Sequence, residues 1–68
     1  MNTSAKNLGE NIRRIRCERG MTQGDVCRKL GIDRSYMSNV EGGKKNPTLA
    51  TLDRIATLLE VTTSELLA

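Results

Sequence analysis

The sequence predicts an all-α fold of five short helices. Three observations carry that expectation. Apolar residues recur at spacings of three and four, a side chain suited to a helix N-cap precedes each such run, and glycine or proline separates most of them. The 68 residues allow one domain, spanning 1–68, and a chain this small buries a limited core. With one Tyr and no Phe or Trp, that core must be aliphatic.

Residues 1–4 read as a flexible tail ending in Ser4, a cap for a first helix over Ala5–Arg19 that Gly20 closes as its C′ residue. Its apolar stripe is Leu8, Ile12 and Ile15; Arg13, Arg14, Arg16 and Arg19 fall mostly off it and read as a solvated basic face with one or two phosphate contacts. Met21 then tucks into the core. Thr22 caps a second helix, Gln23–Leu30, with Val26, Cys27 and Leu30 inward and Gly24 in its first turn. Gly31 makes a tight turn, Ile32 fills the bend, and Asp33 caps a third helix, Arg34–Glu41, that buries Met37 and Val40. Gly42-Gly43 stops it, and a basic loop, Lys44-Lys45-Asn46-Pro47, follows.

Thr48 caps a fourth helix over Leu49–Leu59, in which Leu49, Leu52, Ile55, Ala56 and Leu59 make one broad apolar face and Leu58 lies off it. Thr62 and Glu65 form a capping box that opens a short fifth helix. Its Leu66 and Leu67, together with Leu58, are more apolar surface than one small domain easily hides. Two readings stand for them: a homodimer interface, or closure of the core from below.

The net charge is +3, but its distribution is more informative. Residues 1–48 hold ten Lys/Arg against five Asp/Glu, whereas residues 49–68 hold Arg54 against Asp53, Glu60 and Glu65. The basic front favours a polyanion as partner, although ordinary solvation accounts for a small excess as well. No apolar run is long enough for a membrane span or a signal peptide, so the expected compartment is a reducing cytoplasm, at the bacterial or phage nucleoid. Cys17 and Cys27, without any histidine, cannot fill a four-ligand zinc site, and read as buried or half-buried free thiols. Without a histidine, a placed carboxylate pair or a base beside either cysteine, catalysis is not expected, and neither is a cofactor or small-molecule ligand.

Residues Thr22–Glu41 organise the rest. Two short helices joined by a tight turn make a helix-turn-helix, and the second offers Arg34, Ser35, Ser38 and Asn39, the side-chain types that bond base edges and phosphates in a DNA major groove. Arg34, at the helix start, suits a bidentate bond to guanine O6 and N7, or a phosphate contact without base choice. Asn39 suits adenine or the DNA backbone. Gln23 begins a helix whose free N–H groups suit a phosphate. Lys44 and Lys45 suit backbone contacts or a solvated turn, and Glu41 reads as structural, paired with a nearby Arg.

The stretch TQGDVCRKLGIDRSYMSNVEGGKKNPTLATLDRIATLLEV resembles the Cro/CI-type (XRE) helix-turn-helix family. The motifs that carry the resemblance are the T-Q opening of the second helix, the L-G-I turn, S-x-x-S-N-V-E through the third, and N-P-T-L before the fourth. The resemblance covers Leu8 to Leu67 and implies a compact five-helix lambda-repressor-like DNA-binding domain that binds operator DNA, usually as a homodimer on an inverted repeat. It implies base readers at Arg34, Ser35, Ser38 and Asn39, and backbone contacts at Gln23, Tyr36, Lys44, Lys45 and Asn46. Tyr36 is expected half-buried with its hydroxyl on a phosphate. D-R-S-Y-M-S with K-K-N-P-T-L is most similar to the small controller proteins of restriction–modification systems, which time expression of their own operon; phage and plasmid repressors are near neighbours. The chain departs from the family at Gly42, where many members carry a phosphate-contacting Arg or Asn, at Glu60, a helix-ending position often held by Gly, and at Gly24. Within the same fold, a protein-interaction module or antitoxin-type adaptor is the competing function.

Overall fold

A computed structural model describes residues 3–68. Five helices follow one another: α1 (Thr3–Glu18), α2 (Gln23–Leu30), α3 (Arg34–Glu41), α4 (Leu49–Leu59) and α5 (Thr63–Leu67). Helix α1 packs on α3 and α5, α2 on α3 and α4, and α4 on α5. The core they enclose is aliphatic, as the composition requires. Ile12, Val26, Met37, Val40, Ile55, Leu59 and Leu66 are fully buried at its centre, and Met21, Ile32, Tyr36, Leu58 and Val61 pack around it.

The expected bounds of α2, α3 and α4 match the structure, and the side-chain caps of α2, α4 and α5 form. The Thr22 hydroxyl accepts the Asp25 N–H at 3.0 Å while the Asp25 carboxylate accepts the Thr22 N–H at 2.8 Å. Thr48 Oγ1 accepts the Thr51 N–H at 3.2 Å. Thr62 and Glu65 close the predicted capping box with bonds of 2.9 and 3.1 Å. Gly31 ends α2 in the left-handed region at φ 68°, where a side chain would strain the backbone, and the next N–H, of Ile32, turns back to Cys27 O at 3.1 Å.

Five expectations need correction. Helix α1 already includes Thr3 and Ser4, so Ser4 is not its cap and the expected tail is at most residues 1–2, which lie outside the described residues. Arg16 is not on a solvated face but buried, because it stands four residues after Ile12 and so shares its side of the helix. Cys17, one position further round, is exposed, while Cys27 is buried; both are free thiols. Leu49 is 79% exposed rather than part of the core face of α4. Leu66 is fully buried, so it belongs to the core and not to a dimer interface; Leu58 is half-buried against that core, and of the three predicted interface leucines Leu67 stays open, 56% exposed. The side chain of Asn11 on α1 holds α5 in place, donating to the carbonyls of Leu66 at 2.9 Å and Ala68 at 2.8 Å.

Candidate nucleic-acid interface

Helix α3 has two unlike sides. Met37 and Val40 are fully buried against the other helices, and Arg34, Ser35, Ser38 and Asn39 are all exposed. The four predicted base readers therefore lie together on the accessible side of one rigid element. Asp33 occupies the N-cap position with extended backbone, but its side chain makes no cap bond, so α3 begins without a side-chain acceptor for its first-turn N–H groups. Such a helix start favours an anion.

What fixes α3 is an ion pair that crosses the domain. Arg16 of α1 grips Glu41 at the end of α3 with two parallel bonds, Nε to Oε2 at 2.8 Å and Nη2 to Oε1 at 2.9 Å. The third guanidinium nitrogen donates to Met21 O at 2.9 Å. The bond from Glu41 raises the affinity of Arg16 for its proton, against the cost of burial. Glu41 is thus structural and paired with an arginine, as expected, and that arginine is the buried Arg16. Gly9 permits the approach: a Cβ there would lie 2.4 Å from Val40 O and 2.6 Å from Glu41 O, so only glycine lets α1 reach the backbone at the end of α3.

Gln23 does not stand free at the start of α2. Its amide nitrogen donates to Glu41 Oε1 at 3.3 Å, and its amide oxygen accepts from the Ser38 hydroxyl at 3.0 Å. One amide hydrogen remains for a phosphate. Arg13, Arg16, Gln23, Ser38, Glu41 and Gly42 line an open groove between α1 and the helix-turn-helix. Nothing in the spacing of the sequence announced this link, since Gln23 and Ser38 each read as independent surface residues.

Around this centre the remaining predicted contacts separate into two groups. Tyr36 is half-buried, as expected, with the Lys45 ammonium 5.5 Å from its ring centroid. Lys44, Lys45 and Asn46 are exposed in the loop that leaves α3, so both cations stand beside the same helix. At the other end of α3, a Cβ on Gly24 would lie 3.9 Å from Arg34 Nη1, which places the guanidinium over the first turn of α2. Burial raises the pKa of the Cys27 thiol beneath it, which leaves that sulfur in its unreactive protonated form. No described helix is long and apolar enough to cross a membrane.

Comparison with known proteins places this geometry. The helix-turn-helix family HTH_3 matches residues 12–66. The HTH-type transcriptional regulator y4dJ of Sinorhizobium fredii is 41% identical over 61 residues, covering 90% of this chain and 79% of that protein. The restriction–modification controller protein C.AhdI from Aeromonas hydrophila superposes with a TM-score of 0.88 at 31% identity, over 96% of this chain and 98% of its own. The controller protein C.Esp1396I, solved as a tetramer with its natural operator, superposes with a TM-score of 0.80 at 32% identity over the full length of both chains. With an all-helical fold, an exposed polar helix α3 and a family match over most of its length, the chain belongs to the HTH_3 helix-turn-helix family.

Proposed function

We propose that the chain is a sequence-specific DNA-binding transcriptional regulator of the controller or repressor kind. The observation that carries this reading is the placement of Arg34, Ser35, Ser38 and Asn39 on the exposed side of a helix whose other side is locked into the core. Arg34 is assigned to guanine at the outer end of α3, and Ser35, Ser38 and Asn39 to neighbouring base edges. Gln23, Tyr36, Lys44, Lys45 and Asn46 are assigned to phosphates, which set register and give salt dependence without sequence choice.

The working unit is a homodimer. The chain measures 31 × 23 × 21 Å, whereas successive major-groove half-sites on one face of a duplex lie about 34 Å apart. One copy therefore addresses one half-site. A two-fold pair presents two α3 helices to an inverted repeat, and the exposed Leu49 and Leu67 supply apolar surface for the pairing.

Selection from a random duplex library tests the reading. Enrichment of an inverted repeat with half-sites about one helical turn apart supports it. Lys45→Ala then weakens binding to all sequences about equally, while Arg34→Ala loses discrimination at one base pair of each half-site. No enrichment, with binding confined to low salt, removes the regulator reading and leaves the adaptor fold-mate.

A further inference from the structure

A serine hydroxyl carries one hydrogen and two lone pairs, so in a major groove it reads donors and acceptors alike. Ser38 is not in that position. Glu41, gripped by the Arg16 guanidinium on both oxygens, offers only lone pairs to a further neighbour. The Gln23 amide must therefore turn its nitrogen toward Glu41, since the flipped amide would set two acceptors against each other. That orientation brings the Gln23 carbonyl oxygen to the Ser38 hydroxyl, 3.0 Å away, and a carbonyl can only accept. The single Ser38 hydrogen is consumed.

We propose that the chain of bonds Arg16–Glu41–Gln23–Ser38 makes Ser38 an acceptor-only reader, selective for a base whose major-groove edge carries an amino group. Adenine N6 and cytosine N4 present such donors, while guanine O6 and N7 and thymine O4 present acceptors that the Ser38 lone pairs repel. The selectivity of a residue on α3 is thus set by a buried ion pair made by α1. The inference rests on α3 being the DNA-reading helix. It adds to that reading which edge one of its residues accepts.

The test compares the wild-type chain with Ser38→Ala, Ser38→Thr, Gln23→Met and Arg34→Ala on the same random duplex library. At one base pair of each half-site the wild type prefers adenine or cytosine over guanine or thymine by about 3–10-fold, the value of one hydrogen bond. Ser38→Ala abolishes that preference there alone, and Ser38→Thr, which keeps the hydroxyl, restores it. Gln23→Met frees the hydroxyl to donate as well as accept, so the preference at the same pair falls below about 2-fold while the choices governed by Arg34 persist. Gln23→Ala carries the same expectation should the Met variant fail to fold. A Gln23 variant that retains the full preference overturns the proposal. So does a Ser38-dependent pair that favours guanine or thymine, or a Ser38→Ala profile identical to wild type while Arg34→Ala still alters its own position. In those cases the regulator reading stands; a wild-type chain that enriches no site overturns both.

Discussion

Removing the Glu41 carboxylate is the sharpest test of how the reading helix is held. The Arg16 and Glu41 side chains are 10% and 6% exposed, so water cannot replace the partner that is lost. Glu41→Ala strips the guanidinium of bonds at 2.8 and 2.9 Å and leaves it with Met21 O. An uncompensated buried charge of this kind costs about 3–5 kcal/mol. A single small domain has little more than about 5 kcal/mol in total. Each kcal/mol moves the melting point of such a domain by about 4–8 °C, so a fall of at least about 12 °C is expected. Thermal and urea melts followed by far-ultraviolet circular dichroism measure it. The double variant Arg16→Met/Glu41→Leu removes both charges and keeps the volume, and it recovers most of the loss. A Glu41→Ala loss below about 1 kcal/mol, in the range of an exposed pair, refutes the argument. A double variant no better than the single one refutes it too.

Three further predictions rest on separate features. Glu60 ends α4 at φ 60°, a conformation that costs a residue with a Cβ about 1–2 kcal/mol. Its bond to Arg19 is exposed. After the greater chain entropy of glycine is subtracted, Glu60→Gly is expected to stabilise by about 0.5–1 kcal/mol, read as a higher urea midpoint at unchanged slope. Gly9→Ala separates two opposing effects. Helix propensity alone gives a gain of about 1 kcal/mol, whereas a Cβ 2.4 Å from Val40 O must push α1 off α3, so the denaturant midpoint falls. Asp25 is held below the ordinary carboxylate pKa, first by the Thr22 backbone N–H and then by the Thr22 hydroxyl. A lowered folded-state value means stability that is present at neutral pH and lost as pH falls through and below the ordinary value of about 3.9. Asp25→Asn therefore shows a shallower loss of stability on acidification, measured by denaturant melts from neutral pH into that range.

The local signals in this sequence were strong, and the distant ones nearly silent. Thr22, Thr48 and Thr62 mark their helix starts because a cap is a contact between residues three apart, whereas Asp33 marks its start by position alone, without a side-chain cap bond. Gly31 marks the turn for an equally local reason. Leu49 shows what periodicity leaves out. It continues the spacing of Leu52, Ile55 and Leu59, but it is the first residue of α4, and period gives a direction around the helix without saying where neighbouring helices end. Leu66 shows the reverse case, a terminal residue for which spacing leaves interface and core both open and whose burial depends on α1 and its Asn11 lying across the short helix. Arg16 was hidden by its charge: its place beside Ile12 was readable, but the partner that makes burial tolerable is 25 residues away. The link between Gln23 and Ser38 is of the same kind, visible once both are joined to Glu41.

Tyr36 has a consequence for measurement. It is the single aromatic residue of the whole chain, and it sits half-buried on α3 under the Lys45 ammonium. All intrinsic near-ultraviolet emission therefore originates within the surface assigned to the duplex. The protein carries its own reporter there, without a dye or an added tryptophan. Quenching on titration with oligonucleotide would report occupancy of that surface alone, and a melt followed at tyrosine, set against one followed by helical signal, would tell whether the reading face dissolves before the scaffold that holds it.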